Sequence, residues 1–323
     1  MYALVSRASR TFAAVAFVVL TVNASVLIAS DVEAVEETCR VVNLTTGSGP
    51  GANLQRLINT ANAADVLQVE GRCLGTFTID RDLTIVGKAT QELPTPTLDG
   101  DRVSTVLSIL GAADRVLTVS LTDLTITHGA AEGGGGGILS WYSAVTLDGS
   151  SAVTANTAKK GGGILSRRGR LTLSDSASVS GNYAIQSGGG IQSAAYRVLA
   201  LNDSASVTGN VAGRRGGGVF THGTVSMSGT SLVGGNRANA GGGIDNFHGH
   251  VTLSDSSSVS GNTAQGHGGG IFNDGVVTLN GTSTVRENTA ISSGGGIYNN
   301  LGVVTLNGLF TVTANVPDDC VGC

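Results

Sequence analysis

From Gly133 onward, apolar and small polar residues alternate with a period of two, in short runs divided by glycine, aspartate and asparagine. That alternation predicts strands with one buried face. The runs themselves recur. A glycine triplet followed by Ile or Val marks each unit, at Ile138, Ile164, Ile191, Val219, Ile244, Ile271 and Ile297, with successive gaps of 26, 27, 28, 25, 27 and 26 residues. Two places beyond each marker, on the same face, stands a small polar residue: Ser140, Ser166, Ser193, Thr221, Asn246, Asn273 and Asn299. The second strand of the unit is of the Val-Thr-Leu type, with inward pairs from Val145/Leu147 to Val304/Leu306. A turn follows at Gly149, Asp175, Asp203, Gly229, Asp255, Gly281 and Gly308, residue types that tolerate tight bends.

The third strand carries a valine, from Val153 to Val312. Three residues after each comes an unbroken series of asparagines: Asn156, Asn182, Asn210, Asn236, Asn262, Asn288 and Asn315. Two residues beyond each of the first six asparagines is an alanine. Three short strands cannot close an apolar face alone. Coiling the chain stacks each strand on its equivalent one unit later, about 4.8 Å away, so valine meets valine and asparagine bonds asparagine in a ladder. The expected fold is all-β, a right-handed single-stranded parallel β-helix with three strands per coil and about ten coils. Regular units run from about residue 133, within a solenoid over 66–316.

A stacked solenoid exposes strand edges at its ends. Residues 35–65 supply a candidate cap. Leu54, Leu57, Ile58 and Ala61 share one helical face, and Asn53 can N-cap that helix. Upstream, Arg7 and Arg10 precede an apolar run from Thr11 to Ala29, and Val32-Glu33-Ala34 offers a cleavage site. Residues 1–34 therefore read as an export signal, with an uncleaved membrane anchor as the alternative. The expected location is secreted or cell-surface, with membrane contact only through that segment. Export favours disulfides, and Cys39, Cys73, Cys320 and Cys323 allow three pairings. Cys39–Cys73 and Cys320–Cys323 are preferred because each pair sits at its own end of the chain, the second in a tail over 317–323.

The units Gly-Gly-Gly-Ile-x-Asn, Val-Thr-Leu and Ser-x-Val-x-Gly-Asn-x-Ala resemble bacterial right-handed β-helix repeat proteins of the pectin-lyase-like superfamily. They are also similar to the repeats of polymorphic outer-membrane proteins, with Val259-Ser260-Gly261-Asn262 placing Val where those carry Phe. The resemblance covers about residues 64–316 and implies a β-helix and export. It also implies carbohydrate as a ligand class, and polysaccharide lyase or glycoside hydrolase as the enzymatic alternative. The C-terminal barrel of autotransporter members is missing, and the matched residues are structural ones.

Composition sharpens this picture. Glycine is 49 of 323 residues, aromatics are 4% and charged residues 13%, about half the usual share, so the core must be layered from small and β-branched side chains. A net charge of −4 argues against nucleic acid as a partner. No clustered carboxylates with an Arg or Lys base stand out, as a lyase would need, and the turn aspartates share a register with glycine. Gly266-His267-Gly268 lacks the Asp-Asp pair and lysine of a polygalacturonase motif. Two groups remain. His222, Asp245, His248, His250 and Asp274 fall after the first strand of three consecutive units, types that bind a divalent metal or exchange protons. Lys159, Lys160, Arg167, Arg168 and Arg170, with Arg214 and Arg215, form a basic patch suited to an anionic glycan. No cofactor and no resident metal are expected. The reading is an adhesin-like scaffold binding polysaccharide or a cell surface, in preference to an enzyme.

Overall fold

The computed structural model describes residues 39–194 and 198–323. The segment expected to direct export, 1–34, lies outside the described residues. The chain from residue 39 is a parallel β-solenoid of ten coils. Its strands stack into four sheets. The marker sheet has ten strands, from Phe77–Ile79 to Cys320–Val321, and carries the seven marker residues in its regular coils. The Val-Thr-Leu sheet has twelve strands, ten of them parallel coil strands from Asp65–Glu70 to Val303–Leu306. The valine sheet has ten, from Arg72–Leu74 to Thr311–Thr313. A fourth, alanine sheet of seven short strands, from Ala130–Gly134 to Thr289–Ala290, adds a side that the three-strand reading of the unit lacks. It forms because the alanine after each ladder asparagine is small enough to stack inward. Ala184, Ala212 and Ala238 make a small buried cluster of their own.

The register is like on like. Ile138 faces Ile164, Ile244 faces Ile271, and Val251 faces Val277 in parallel ladders. All seven marker residues have no exposed surface. Burying each such side chain contributes about 1.5–3 kcal/mol, so stacking coil upon coil builds one continuous core.

The asparagine series lies inside the bend between the valine and alanine sheets. Asn182 donates both its backbone N–H and Nδ2 to Asn210 Oδ1, at 2.9 and 3.0 Å, while Nδ2 also reaches the Val153 carbonyl at 2.9 Å. The same set recurs from Asn210 to Asn236, Asn262, Asn288 and Asn315. Each amide thus ties three coils. At the far end Asp319 Oδ1 accepts both the N–H and Nδ2 of Asn315, at 3.0 and 2.9 Å, as the next asparagine would. Asp318 Oδ1 likewise accepts from the Gly294 N–H at 2.7 Å. The tail carrying Cys320–Cys323 therefore ends the ladder.

Near the start, Arg40–Asn43 pairs antiparallel with Asp65–Glu70, the first coil strand of the Val-Thr-Leu sheet. Cys39 is bonded to Cys73. Helix α1, Leu54–Thr60, begins where Asn53 Oδ1 accepts the Arg56 N–H at 2.9 Å, and it buries Leu54 and Ile58. Among the described residues no helix is long and apolar enough to cross a membrane.

Candidate functional site

Strand alternation sends the residue after each marker outward. On the marker sheet this register holds Leu139, Leu165, Gln192, Phe220, Asp245, Phe272 and Tyr298. Two positions on, Trp141, Arg167, His222, Phe247 and Asp274 continue the same face. A third row comes from the connection before each triplet, where Lys160, Ser187 and Arg215 stand in register on successive coils. These rows meet over the marker sheet.

Arg215 is the centre of the arrangement. Its Nε donates to Asp245 Oδ2 at 2.6 Å and its Nη2 to Asp274 Oδ2 at 3.3 Å, so one guanidinium spans three coils. The guanidinium carbon lies 4.9 Å from the Phe247 ring centre, 5.1 Å from Phe272 and 5.9 Å from Phe220. At these distances the cation is attracted to each ring face. Asp274 Oδ1 accepts from Asn300 Nδ2 at 2.9 Å. The Asp245 side chain has no exposed surface, and its Oδ1 has no hydrogen-bond partner. Burial pushes its carboxyl up to about 7, with Asp274 adding to the rise and Arg215 opposing it.

His222 sits edge-on between Phe220 and Phe247, at 5.0 and 4.9 Å. Burial, then the charges of His248, Arg215 and Lys160, hold its imidazole below the usual range. His248 is exposed, tilts on Phe247 at 4.4 Å, and has Nδ1 3.3 Å from the Asp274 carbonyl. His250 belongs to the outer face of the Val-Thr-Leu sheet, beside Thr224 and Val276. The five residues grouped by the sequence are therefore divided. Asp245 and Asp274 serve Arg215, His222 and His248 pack on aromatic rings, and His250 lies apart. Among the described residues no group of three or more His, Cys, Asp or Glu side chains is placed to hold a metal.

The basic patch is divided too. Lys159, Lys160 and Arg167 line a cleft of about 420 Å³ with Leu139, Trp141 and Leu165, and the Arg167 guanidinium lies 5.3 Å from the Trp141 ring. Arg168 turns to Tyr142, donating to its hydroxyl at 2.8 Å. Arg170 projects from the Val-Thr-Leu sheet. Arg214 is exposed, and its carbonyl accepts the N–H groups of Asn239 and Ala240. Arg215 leaves the patch to pair with the two aspartates.

The aromatic row went unread in the sequence. Its signal was present: Phe220, Phe247, Phe272 and Tyr298 each stand one or three places after a marker, at outward positions. His267 joins the row's end, 4.4 Å from Tyr298, with Nδ1 2.7 Å from Ser293 Oγ. A second unread cluster lies in an early coil. Asp99 there meets His128 Nδ1 at 2.8 Å and Arg72 Nε at 2.9 Å. Comparison with known proteins finds no matching family model, no matching curated protein and no matching solved structure.

Proposed function

We propose that the chain is an exported β-helix scaffold that binds an acidic polysaccharide along the outer face of its marker sheet. One observation carries this reading: aromatic rings and basic groups share the outer face of the seven marker coils, Trp141 with Lys160 and Arg167 at one end and, beyond the coil that carries Gln192, Arg215 with Phe220, Phe247 and Phe272, and then Tyr298. At about 4.8 Å per coil the row is about 29 Å long, a span for several sugar rings. Ring faces pack on the apolar faces of sugars, and guanidinium or ammonium groups meet carboxylates or sulfates. The resemblance of the repeats to pectin-lyase-like β-helices points to the same ligand class. Two disulfides accord with an oxidising, extracellular location.

A catalytic reading would rest on Asp245 and Asp274. It is the weaker one, because the Asp245 side chain is wholly buried behind Arg215 and cannot touch a sugar.

The test is equilibrium binding of polygalacturonate, with neutral dextran as control, to the wild type and to a triple variant, Trp141→Ala, Lys160→Ser and Arg167→Ser. Exposed contacts contribute on the order of 1 kcal/mol each, so the variant should bind about 100-fold more weakly. Wild-type binding should also weaken with salt. Equal binding by both proteins, or equal binding of dextran, would remove the proposal.

A further inference from the structure

The basic side chains of this face are not equivalent. Lys159, Lys160 and Arg167 have no carboxylate partner among the described ion pairs, whereas Arg215 is held by two aspartates and three rings. Holding it this way leaves donors over. A guanidinium has five N–H groups, and Arg215 spends one on Asp245 and one on Asp274. Its side chain keeps 30% of its surface exposed. The remaining N–H groups, backed by an apolar wall that weakens solvent screening, suit the two oxygens of a carboxylate or sulfate.

The charges beneath work against that role. With both aspartates ionised, the three side chains sum to one negative charge, which repels a polyanion. Asp274 has both oxygens partnered, Oδ2 by Arg215 and Oδ1 by Asn300, and keeps 9% of its side-chain surface exposed. Asp245 differs, because it has a single side-chain partner and a buried, unpaired Oδ1. An ionised carboxylate so placed is costly, and a proton on it relieves the cost.

We propose that Arg215 receives the acidic group of the bound chain, and that Asp245, by taking up or releasing a proton beneath it, sets how strongly that group is held. This rests on the polysaccharide reading above. A protonated Asp245 leaves Arg215 balanced by Asp274 alone and frees its field for the ligand. An ionised Asp245 cancels that field. Binding therefore strengthens as pH falls through neutrality. The other titratable or charged groups around the site are His222, His248 and Asp274, from the ends of three successive marker strands, Lys160 two coils before Arg215, and His267, which packs on Tyr298 next to Phe272. The deciding variant leaves these groups intact, so that only Asp245 changes.

That variant is Asp245→Asn, which keeps the shape and fixes the neutral state. Polygalacturonate and dextran sulfate supply the carboxylate and sulfate, with dextran as neutral control, at about pH 5 and about pH 8.5 and constant salt. The wild type should bind the acidic polymers about tenfold more tightly at the lower pH, the size of one ion-pair contribution. Asp245→Asn should bind at the higher pH as the wild type does at the lower. Arg215→Gln should lose the pH-dependent part and keep the part due to Lys160 and Arg167. Equal pH dependence in wild type and Asp245→Asn would overturn the proposal and assign the effect to histidine. If Arg215→Gln binds like the wild type while the Trp141, Lys160 and Arg167 triple variant does not, the scaffold reading stands and this one falls. Absence of binding at both pH values removes both. Carboxyl-detected NMR gives a readout independent of ligand: an Asp245 midpoint in the ordinary carboxylate range would also overturn the proposal. Thermal melting of each variant separates loss of fold from loss of binding.

Discussion

Asp99 and Asp245 show how far a single residue's chemistry depends on its neighbours. Both are buried, at 1% and 0% exposure. Burial pushes both carboxyls upward, but Asp99 meets His128, the Asp101 N–H and Arg72, which outweigh burial and hold it below its ordinary value. Asp245 has one side-chain partner and rises to about 7. The consequences for stability have opposite signs. The native state holds a proton on Asp245 that the unfolded chain has released, so this contribution is full below the unfolded carboxylate range and is lost as pH rises toward about 7. Asp99 contributes stability above the unfolded range, lost as pH falls through its lowered folded value. Melting temperatures measured from acid to mildly alkaline pH should show Asp99→Asn destabilised at neutral pH, with the gap closing in acid. Asp245→Asn should be destabilised least, relative to wild type, at the alkaline end. Parallel curves for the two variants would contradict the assigned environments.

At the scale of the strand and its bends, the glycine triplet and the ladder asparagine form one device. Gly241 has φ +60°, a left-handed conformation that suits glycine. A Cβ on Gly243 would lie 2.7 Å from the Gly270 carbonyl oxygen and 2.9 Å from Asn262 Nδ2. The triplet is therefore bare because the next coil and the amide occupy its space. Asn262→Leu removes the acceptor for the Asn236 N–H and Nδ2 and leaves buried donors unmatched, at about 1–3 kcal/mol each. Thr263→Leu, at a half-buried neighbour, touches none of these bonds. Denaturant melts should show a clear loss for the first variant and less than about 1 kcal/mol for the second. Asp319 ends the same ladder by offering an oxygen where an asparagine would stand. Asp319→Asn should accordingly retain the wild-type melting temperature and Asp319→Leu should lower it. Equal values would show that the tail does not hold the last coil.

Taken whole, the solenoid is close to one-dimensional. Each coil touches its neighbours, and stability accumulates through nearest-neighbour contacts. A central coil is covered on both sides: Val251, Leu253, Val277 and Leu279 have at most 1% exposure. The last coil is covered on one. Of its inward pair, Val304 is half-buried and Leu306 is 42% exposed. Native-state hydrogen exchange should therefore be slowest in the central coils and faster by orders of magnitude in Val303–Leu306, because opening the end coil breaks one interface and not two. Uniform protection along the axis would mean that the ten coils open together.

Much of this organisation was legible in the chain because a repeat stacks like on like. The period-two pattern assigns inside and outside within each strand, and the interval of 25–28 residues assigns which strand meets which. Those two regularities determined the parallel β-helix, its marker core and its stacked valines. The fourth, alanine strand was too short, at two to five residues, to show a period of its own. The outward side chains followed another rule. Arg215 lies 30 residues from Asp245 and 59 from Asp274, and it reaches them because the pre-triplet bend folds its side chain across the marker sheet. Strand periodicity does not specify where a bend sends a long side chain, so basic and acidic residues that stood apart in the sequence became one cluster only in the folded coil. The periodic interior was determined by the sequence, since identical neighbours need only alternation and interval to find each other. The site was decided by tertiary structure, since its members differ in type, lie on different coils and meet through bends of unequal length.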